Sequence, residues 1–286
     1  MPPRRIVMCA ITLFSLLSSN AQLKTYDNGT TLFYRNNSLN ISALSDTVCN
    51  FSLGNQALTN EFSGTRIIYL SGNVVFSRSQ NSYSLVGIHV INNQNGKVIN
   101  NVNTQLYFTQ YLRISKSIFV SLGADIGIQS MLFKSTSVSS GGGDLGFDMD
   151  VSIGLIGKRW KVGTSFNHVT RPTLAPINNT IIYPRYLSIY TEYQIPIAVK
   201  YNLRFIHQSN VAQSDYINRS MVAIGYKEQY EVGFGLTDGG LSLSMSLKEL
   251  NLGRSQLRIS GAYQFPIPND KTLAVNLFEL NMGVVF

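Results

Sequence analysis

The sequence predicts an all-β protein, a transmembrane, antiparallel, up-and-down β-barrel of 14 strands, with 12 strands as the alternative. Three observations predict this fold. Large apolar side chains alternate with mostly polar ones in stretches about as long as a tilted strand needs to cross a bilayer. No run of about eighteen apolar residues is present, which excludes a transmembrane helix. Charged residues make up 13% of the chain, whereas about 25% is usual for soluble domains.

The final stretch, residues 277–286, shows this alternation clearly. Its apolar positions recur at every second residue, and they are Phe278, Leu280, Met282, Val284 and Phe286. Successive side chains on a strand point to opposite faces, so this stretch is a strand with one apolar face and one mostly polar face. The terminal aromatic resembles the C-terminal signal that the outer-membrane assembly machinery reads on bacterial barrels. These residues are therefore the candidate assembly signal, and the C-terminal strand of a soluble sandwich is the alternative.

The first residues, 1–21, have the features of a cleaved signal peptide. Arg4 and Arg5 form a basic region, a short apolar stretch follows at residues 6–17, and small residues precede the expected cleavage site after Ala21. The apolar stretch is too short to cross a membrane as a helix. The sequence therefore predicts an exported protein, and together with the barrel pattern it predicts an outer-membrane location.

Residues 22–57 are rich in Asn, Ser and Thr and alternate only weakly. Three interpretations stay open for this segment: a periplasmic segment, a plug inside the barrel lumen, or a first strand. The barrel itself is assigned to residues 58–286.

From residue 66 onward the alternation becomes regular. In residues 118–129, for example, Ile and Leu positions alternate with Ser, Gly, Asp and Gln positions. The other candidate strands lie at residues 66–77, 83–92, 102–114, 148–157, 160–168, 186–195, 226–236, 241–248 and 257–264, with further ones between them. The count from residue 66 is about thirteen, and because bacterial single-chain barrels have an even number, one strand further upstream gives 14.

A Ser- and Gly-rich stretch, residues 135–146, is predicted to be a loop. Its glycines match the spacing of a dinucleotide-binding loop, but that motif requires a strand before it and a helix after it. The alternating residues that follow predict a strand. The nucleotide interpretation is therefore excluded, and scattered lysines and arginines give no basis for nucleic-acid binding either.

Several stretches resemble one known family. Residues 58–65 are similar to its opening "LNPAFAGT" motif, with Glu61 where that motif has proline. Residues 147–155 and 160–172 resemble its "DFGAGL" and "GLSVNHLTQP" segments, residues 184–187 resemble its "LPRHYYL" strand, and residues 87–96 fit a further hairpin. On these motifs the chain is identified as a member of the PorP/SprF family of outer-membrane components of the type IX secretion system.

This resemblance implies a docking or anchoring role in protein secretion, for export or surface attachment of a cargo such as a gliding adhesin with a C-terminal sorting domain. It implies outer-membrane lipids, a large translocon barrel and periplasmic lipoproteins, one of them peptidoglycan-binding, as partners, with no nucleic acid. The loop that carries the family motif is a candidate for contact with a partner. The residues of that loop are Asn167, His168, Arg171, Pro172, Pro184 and Arg185.

The motif loop has a second, purely structural interpretation. His168 stands where a strand meets a loop, and a turn-organising hydrogen bond is the preferred role for it over a direct partner contact. Arg171 and Arg185 are interpreted either as contacts for an acidic partner or as solvated loop charges. The acidic residues Asp125, Asp148, Asp150 and Glu279 fall on predicted lumen faces, where arginines such as Arg258 are expected to pair with them.

The sequence predicts no enzyme, no cofactor and no metal site. His89, His168 and His207 have no neighbour at metal-ligand spacing, and no Gly-x-Ser-x-Gly elbow is present. A barrel of 12 to 14 strands is also narrower than the 16- to 18-stranded porins with open channels, so a folded adhesin is expected to pass through another, larger barrel. A channel for diffusion or hydrophobic small molecules is the alternative function, and an outer-membrane hydrolase is a third hypothesis.

Overall fold

The computed structural model describes residues 41–45, 48–59, 66–96, 98–134, 141–177, 180–212, 216–227, 229–237, 240–253, 255–266 and 276–286. The predicted signal peptide, residues 1–21, lies outside the described residues, as do residues 22–40 and most of the opening motif at residues 60–65. No helix within these ranges is long and apolar enough to span a membrane.

The described chain forms a closed antiparallel barrel of 14 strands, and the predicted fold class and strand number are confirmed. The barrel strands are β1 (Asn50–Thr59), β2 (Arg66–Arg78), β3 (Ser82–Asn95), β4 (Ile99–Ser115), β5 (Ile118–Phe133), β6 (Gly142–Ile156), β7 (Trp160–Asn167), β10 (Tyr186–Ala198), β11 (Tyr201–Val211), β12 (Tyr216–Tyr226), β13 (Tyr230–Thr237), β14 (Gly240–Leu252), β15 (Ser255–Pro266) and β16 (Asn276–Val285). Between β7 and β10 the two short strands β8 (Thr173–Leu174) and β9 (Ile181–Ile182) form a separate sheet.

Closure depends on β1, which pairs with β2 on one side and with β16 on the other. Closing the sheet removes the unpaired edge that hydrocarbon does not tolerate. β1 begins at Asn50 and so lies mostly within the segment 22–57, ahead of the predicted barrel start at residue 58. Its alternation is weak in the sequence because the polar Asn55 occupies an exposed, outward position.

Side chains alternate between lipid face and lumen as the sequence pattern predicts. In β5 the outward Leu122 and Ile126 are about half exposed, whereas the inward Ser121 and Asp125 are buried. In β16 the apolar Phe278, Leu280 and Met282 are outward, and Val284 and Phe286 continue the same row. A shift of one residue in register would turn the polar row toward lipid.

The two ends of the barrel differ. At the end that carries Phe286, consecutive strands are separated by only two or three residues, at 79–81, 116–117, 157–159, 199–200, 227–229 and 253–254; we call it the short-turn end. The opposite, long-loop end carries the connection of residues 168–185 between β7 and β10. In outer-membrane barrels short turns are generally periplasmic and longer loops extracellular.

Of the stretch predicted as a loop at residues 135–146, residues 135–140 lie outside the described residues, and residues 142–146 belong to a strand. β6 starts at Gly142, pairs Gly142 with Phe133 of β5, and continues through the glycines without a break. The pairing with β5 overrides the weak strand propensity of glycine. Strand β6 therefore continues from these glycines to Ile156.

A short segment from the N-terminal region lies inside the lumen. Residues 41–45, which we call the lumen segment, contain one 3₁₀ turn, Ser42–Leu44, and are buried. The Ala43 amide donates to Ser152 Oγ at 3.0 Å, and Thr109 Oγ1 donates to the Ser42 carbonyl at 2.9 Å. Tyr111 donates to the carbonyl of Ser45 at 2.8 Å. The backbone groups of this segment are thus bonded to the inner wall, as buried polar groups require.

Glycines on the inner wall make room for the lumen segment. A Cβ at Gly123 would lie 2.3 Å from Ser42 Oγ and 2.7 Å from the Ala43 amide nitrogen, and one at Gly163 would lie 2.7 Å from Leu44 Cδ1. Leu44 then packs in an apolar cluster across the lumen, made of Ile41, Ala43, Leu44, Tyr190, Ile206, Met221 and Ala223. The lumen segment is therefore seated on the wall by both hydrogen bonds and apolar burial.

Candidate functional site

The residues of the predicted motif loop meet at the long-loop end, where β7 gives way to the connection. Asn167, the last residue of β7, is buried, and its side-chain amide donates to Ser188 Oγ on β10 at 3.0 Å. His168 and Arg171 have φ of 54° and 53°, in the left-handed region that non-glycine residues seldom adopt. The Arg171 amide donates to the His168 carbonyl at 2.9 Å. These residues form a tight turn immediately after the strand.

Two aspartates of β6 hold this turn. His168 Nδ1 donates to Asp148 Oδ2, and the His168 backbone amide donates to Asp150 Oδ1, both at 2.7 Å. Two residues further along the chain, the Thr170 hydroxyl donates to the Phe147 carbonyl at 3.0 Å. Asp148 is completely buried. His168 thus makes the turn-organising hydrogen bond that the sequence favoured, and Asp148 pairs with this histidine rather than with an arginine.

The remaining motif residues close the base of the connection. The Tyr183 amide donates to the Pro172 carbonyl at 2.9 Å, and Arg185 Nε donates to the Val169 carbonyl at 3.0 Å. Pro184, half-buried, stands between Tyr183 and Arg185. All the predicted motif-loop residues therefore come together in one layer. Their geometry explains a structural role, and contact with a partner stays a prediction.

The same layer brings titratable groups together. Ligand-capable atoms of Asp148, Asp150 and His168 all lie within 4.8 Å of one another. Asp125 on β5 stands directly opposite Asp150 in the β5–β6 register. Gln105 Nε2 donates to Asp150 Oδ2 at 2.8 Å. We call Asp125, Asp148, Asp150 and His168 the acidic cluster.

Sequence spacing did not reveal this cluster, because His168 is far along the chain from both aspartates. The signal that was available is the β6–β7 hairpin. Its register pairs Val151 with Phe166, so the end of β7 lies beside Asp148 and Asp150. Two inward aspartates at alternate positions on β6, beside a histidine at the end of the next strand, are brought together by that pairing alone.

A second group of charged side chains lies on strands β10, β11, β13 and β14. Glu231 on β13 accepts from both Arg204 on β11 and Lys248 on β14, and Glu192 Oε1 on β10 lies 3.7 Å from Arg204 Nη1. Tyr190 donates to Glu192 Oε2 at 2.8 Å. These pairs compensate buried charge across neighbouring strands, and they add to the occupancy of the lumen.

The outward face carries a polar patch, formed by His207, Ser209, Asn218 and Ser220, between otherwise apolar rows. His207 Nδ1 lies 2.8 Å from Ser220 Oγ, and its Nε2 lies 2.9 Å from Ser209 Oγ. A hydrolase triad needs the imidazole between a hydroxyl and a carboxylate that orients it. Here the ring stands between two hydroxyls, which is not that arrangement.

One known protein family has a sequence pattern that this chain matches. A family model, described as "Type IX secretion system membrane protein PorP/SprF", matches residues 42–284 of this chain. No curated protein sequence matches the chain.

Solved structures of similar shape include two toluene transporters and a monoaromatic hydrocarbon channel. The toluene transporter TbuX of Ralstonia pickettii is 11% identical, with a TM-score of 0.54 over 90% of this chain and 92% of its own. The toluene transporter TodX of Pseudomonas putida is 7% identical, with a TM-score of 0.53 over 91% and 94%. The monoaromatic hydrocarbon channel CymD is 11% identical, with a TM-score of 0.53 over 91% and 92%. At these identities the likeness shows the barrel fold alone.

Proposed function

Because this chain belongs to the PorP/SprF family of type IX secretion system membrane proteins, we propose that it is a docking and anchoring subunit of that machinery in the outer membrane. It serves the export or surface attachment of a cargo with a C-terminal sorting domain, such as a gliding adhesin. It does not itself form the conduit for this cargo.

The occupied lumen is the observation that carries this proposal. The lumen segment crosses the inner wall from β4 to β7, and Leu44 reaches the apolar side chains of β11 and β12. The ion pairs of Glu231 and Arg204 fill part of the same interior. A folded cargo domain requires a far wider and emptier passage. The cargo conduit is therefore a separate, larger barrel, and this subunit stands beside it.

The polar patch on the outer wall supports lateral docking. The buried neighbours Ile206 and Gln208 point inward, so His207 and Ser209 point toward the membrane, about halfway along β11. Polar side chains in hydrocarbon are unfavourable even when they bond to one another. A neighbouring barrel that covers the patch removes this cost, which makes the β11–β12 wall the expected contact with the large translocon barrel.

The short-turn end and the long-loop end give the subunit two further partner faces. Under the orientation rule for outer-membrane barrels, the short-turn end meets the periplasmic lipoproteins, including the peptidoglycan-binding one. The motif loop with Arg171 and Arg185 lies at the other end, where the exported cargo is attached.

A pull-down in mild detergent tests the proposal, with an affinity tag inserted between β5 and β6 at residues 135–140. We expect recovery of a very large outer-membrane barrel, periplasmic lipoproteins or an adhesin with a sorting domain. The control is the same barrel with the tag between β3 and β4 at residue 97. Recovery of the tagged barrel alone from both strains would contradict the proposal.

A photo-crosslinker locates the contacts. A photo-crosslinker at the outward Ser220 is expected to capture the large barrel. A photo-crosslinker at the inward Ser246, the matched position, is expected to give no cargo adduct. Cargo captured from Ser246 during secretion would show that this lumen is the conduit.

A channel for hydrophobic small molecules is the second candidate, favoured by the fold that this chain shares with the toluene transporters. The lumen is lined by buried Ser, Gln, Asn, Asp and Glu side chains, which do not form an apolar path. Single-channel conductance in planar bilayers, or uptake of a hydrocarbon into liposomes containing the barrel, distinguishes this candidate from the docking role.

A further inference from the structure

We propose that the acidic cluster binds a divalent transition-metal cation, Mn²⁺ or Zn²⁺, with Asp125, Asp148, Asp150 and His168 as protein ligands. The site stands inside the barrel below the motif loop. It is independent of the docking role, since it concerns what holds this connection to the wall.

The distances suit a shared ion. Ligand atoms of Asp148, Asp150 and His168 lie within 4.8 Å of one another. Oxygen and nitrogen ligands about 2.1 Å from one ion lie at most roughly 4.2 Å apart, so small side-chain rotations bring the three groups onto it. The ion would take the place of the proton that His168 Nδ1 donates to Asp148 Oδ2, and this proton would be released on binding. Asp148 and Asp150 are supported by Met149 and Gln105, whose N–H groups donate to the other oxygens of the two carboxylates. Such supporting bonds are what orients metal ligands.

Asp125 supplies an independent observation. Its side chain is buried, with 5% of the residue exposed; Ser42 hydrogen-bonds to this carboxylate, but the Oδ1 atom has no hydrogen-bond partner among the described residues. Asp125 and Asp150 are direct cross-strand partners with both side chains facing the lumen, a relation that brings their Cβ atoms to about 5 Å. A buried carboxylate oxygen without a partner is unfavourable. A cation held by Asp150 and Asp148 would give Asp125 Oδ1 the partner that no described protein group provides.

The three carboxylates of the cluster outnumber its one cationic group, His168. The charged groups that act on Asp125 are the carboxylates of Asp150 and Asp148. Carboxylates buried this close to each other repel unless a proton or a cation stands between them. One divalent ion would offset the repulsion between these carboxylates and would also give Asp125 Oδ1 a bonding partner.

The ligand types select the class of ion. Three carboxylates favour a hard cation, whereas an imidazole is a ligand of Zn²⁺ and other transition metals rather than of Ca²⁺ or Mg²⁺. The mixture favours Mn²⁺ or Zn²⁺. The ion would join β5, β6 and the turn after β7, and it would fix the motif loop to the barrel wall.

Metal uptake by the folded barrel tests this proposal. The purified full-length mature protein in detergent is stripped with a chelator and dialysed against MnCl₂ or ZnSO₄, and bound metal is measured by mass spectrometry, with Mn²⁺ also measured by electron paramagnetic resonance. We expect about one ion per barrel. Asp125→Asn and Asp150→Asn should each weaken binding at least about tenfold.

Asp144→Asn is the matched control, because Asp144 is a partly exposed aspartate on the same strand, outside the cluster; the metal affinity of this variant should equal that of the unsubstituted protein. The shift of electrophoretic mobility on heating shows whether each variant is folded, and Asp125→Asn keeps the test valid if Asp150→Asn does not fold. Absence of stoichiometric uptake, or equal affinity in Asp125→Asn and Asp144→Asn, would overturn the proposal. Uptake of Ca²⁺ with neither Mn²⁺ nor Zn²⁺ would overturn the assignment of His168 as a ligand.

Discussion

His168 Nδ1 lies 2.7 Å from Asp148 Oδ2, and this bond joins the turn after β7 to the lumen face of β6. Asp148 is fully buried, so the bond forms away from bulk water. His168 also has a left-handed backbone, which is unfavourable for a non-glycine residue. The His168–Asp148 pair and the bond from the His168 amide to Asp150 offset this cost, and the motif connection is therefore a preorganised part of the barrel.

Removing the imidazole tests this coupling. We expect His168→Ala to lower the free energy of unfolding by about 1.5–3 kcal/mol, the range for a hydrogen bond to a charged group. The double variant with Asp148→Ala should lose little more, because both substitutions break the same bond. Denaturant titration of the barrel in detergent measures both, with His207→Ala as a histidine control outside the connection. Fully additive losses would show that the two residues act separately.

The lumen segment should be lockable by a disulfide. Ser42 Oγ lies 2.9 Å from Ser152 Oγ, and both side chains are buried against each other. In a Cys49→Ser background, Ser42→Cys with Ser152→Cys should therefore oxidise readily, and the cross-link should change the mobility of the denatured protein on a non-reducing gel. Ser42→Cys alone is the control. A pair that remains reduced under oxidant would place residues 41–45 elsewhere than on the β6 wall.

Glu231 neutralises two cationic side chains, and its substitution should strongly destabilise the barrel. It accepts from Arg204 and Lys248 and is almost fully buried. Removing one partner of a buried ionic group leaves uncompensated charge, so Glu231→Gln should destabilise the barrel by about 3 kcal/mol. Adding Lys248→Met should restore part of the loss, because Glu192 remains to face Arg204. Thermal unfolding measures the stability of the single and double variants. A double variant that is less stable than Glu231→Gln would contradict this account of the ion pairs.

The strand pattern could be predicted from the sequence, because the membrane imposes a period of two on every strand. The faces of β5 and β16 follow directly from that period, as Leu122 and Leu280 show. The lumen segment gives no such signal. Its position depends on Gly123 and Gly163, far away in sequence, whose missing side chains leave the space that Ser42 and Leu44 occupy.

The acidic cluster and the start of β6 illustrate two further limits. Asp148 and His168 meet through hairpin register, which alternation alone does not give when the end of a strand is uncertain. Gly142 begins β6 although glycine weakens strands, since pairing with Phe133 of β5 decides the structure there. In each case the information lies in the partner strand, and the local sequence is insufficient.

The two faces of β16 give a direct test of the membrane orientation of the C-terminal strand. Leu280 is outward and about half exposed on the lipid face, whereas its neighbour Asn281 is buried toward the lumen. Leu280→Asp places a carboxylate in hydrocarbon near the middle of the strand and should cost roughly 1–2 kcal/mol, below the cost of a lysine or arginine there. Asn281→Asp introduces the same group at nearly unchanged volume into a polar interior and should cost clearly less. Unfolding in lipid vesicles compares the two variants under one condition, and equal losses would mean that this strand does not separate lipid from lumen as the structure shows. A larger loss at Leu280 would identify the row of Phe278, Leu280 and Met282 as membrane-facing, which is the surface that any assembly signal in this strand must present.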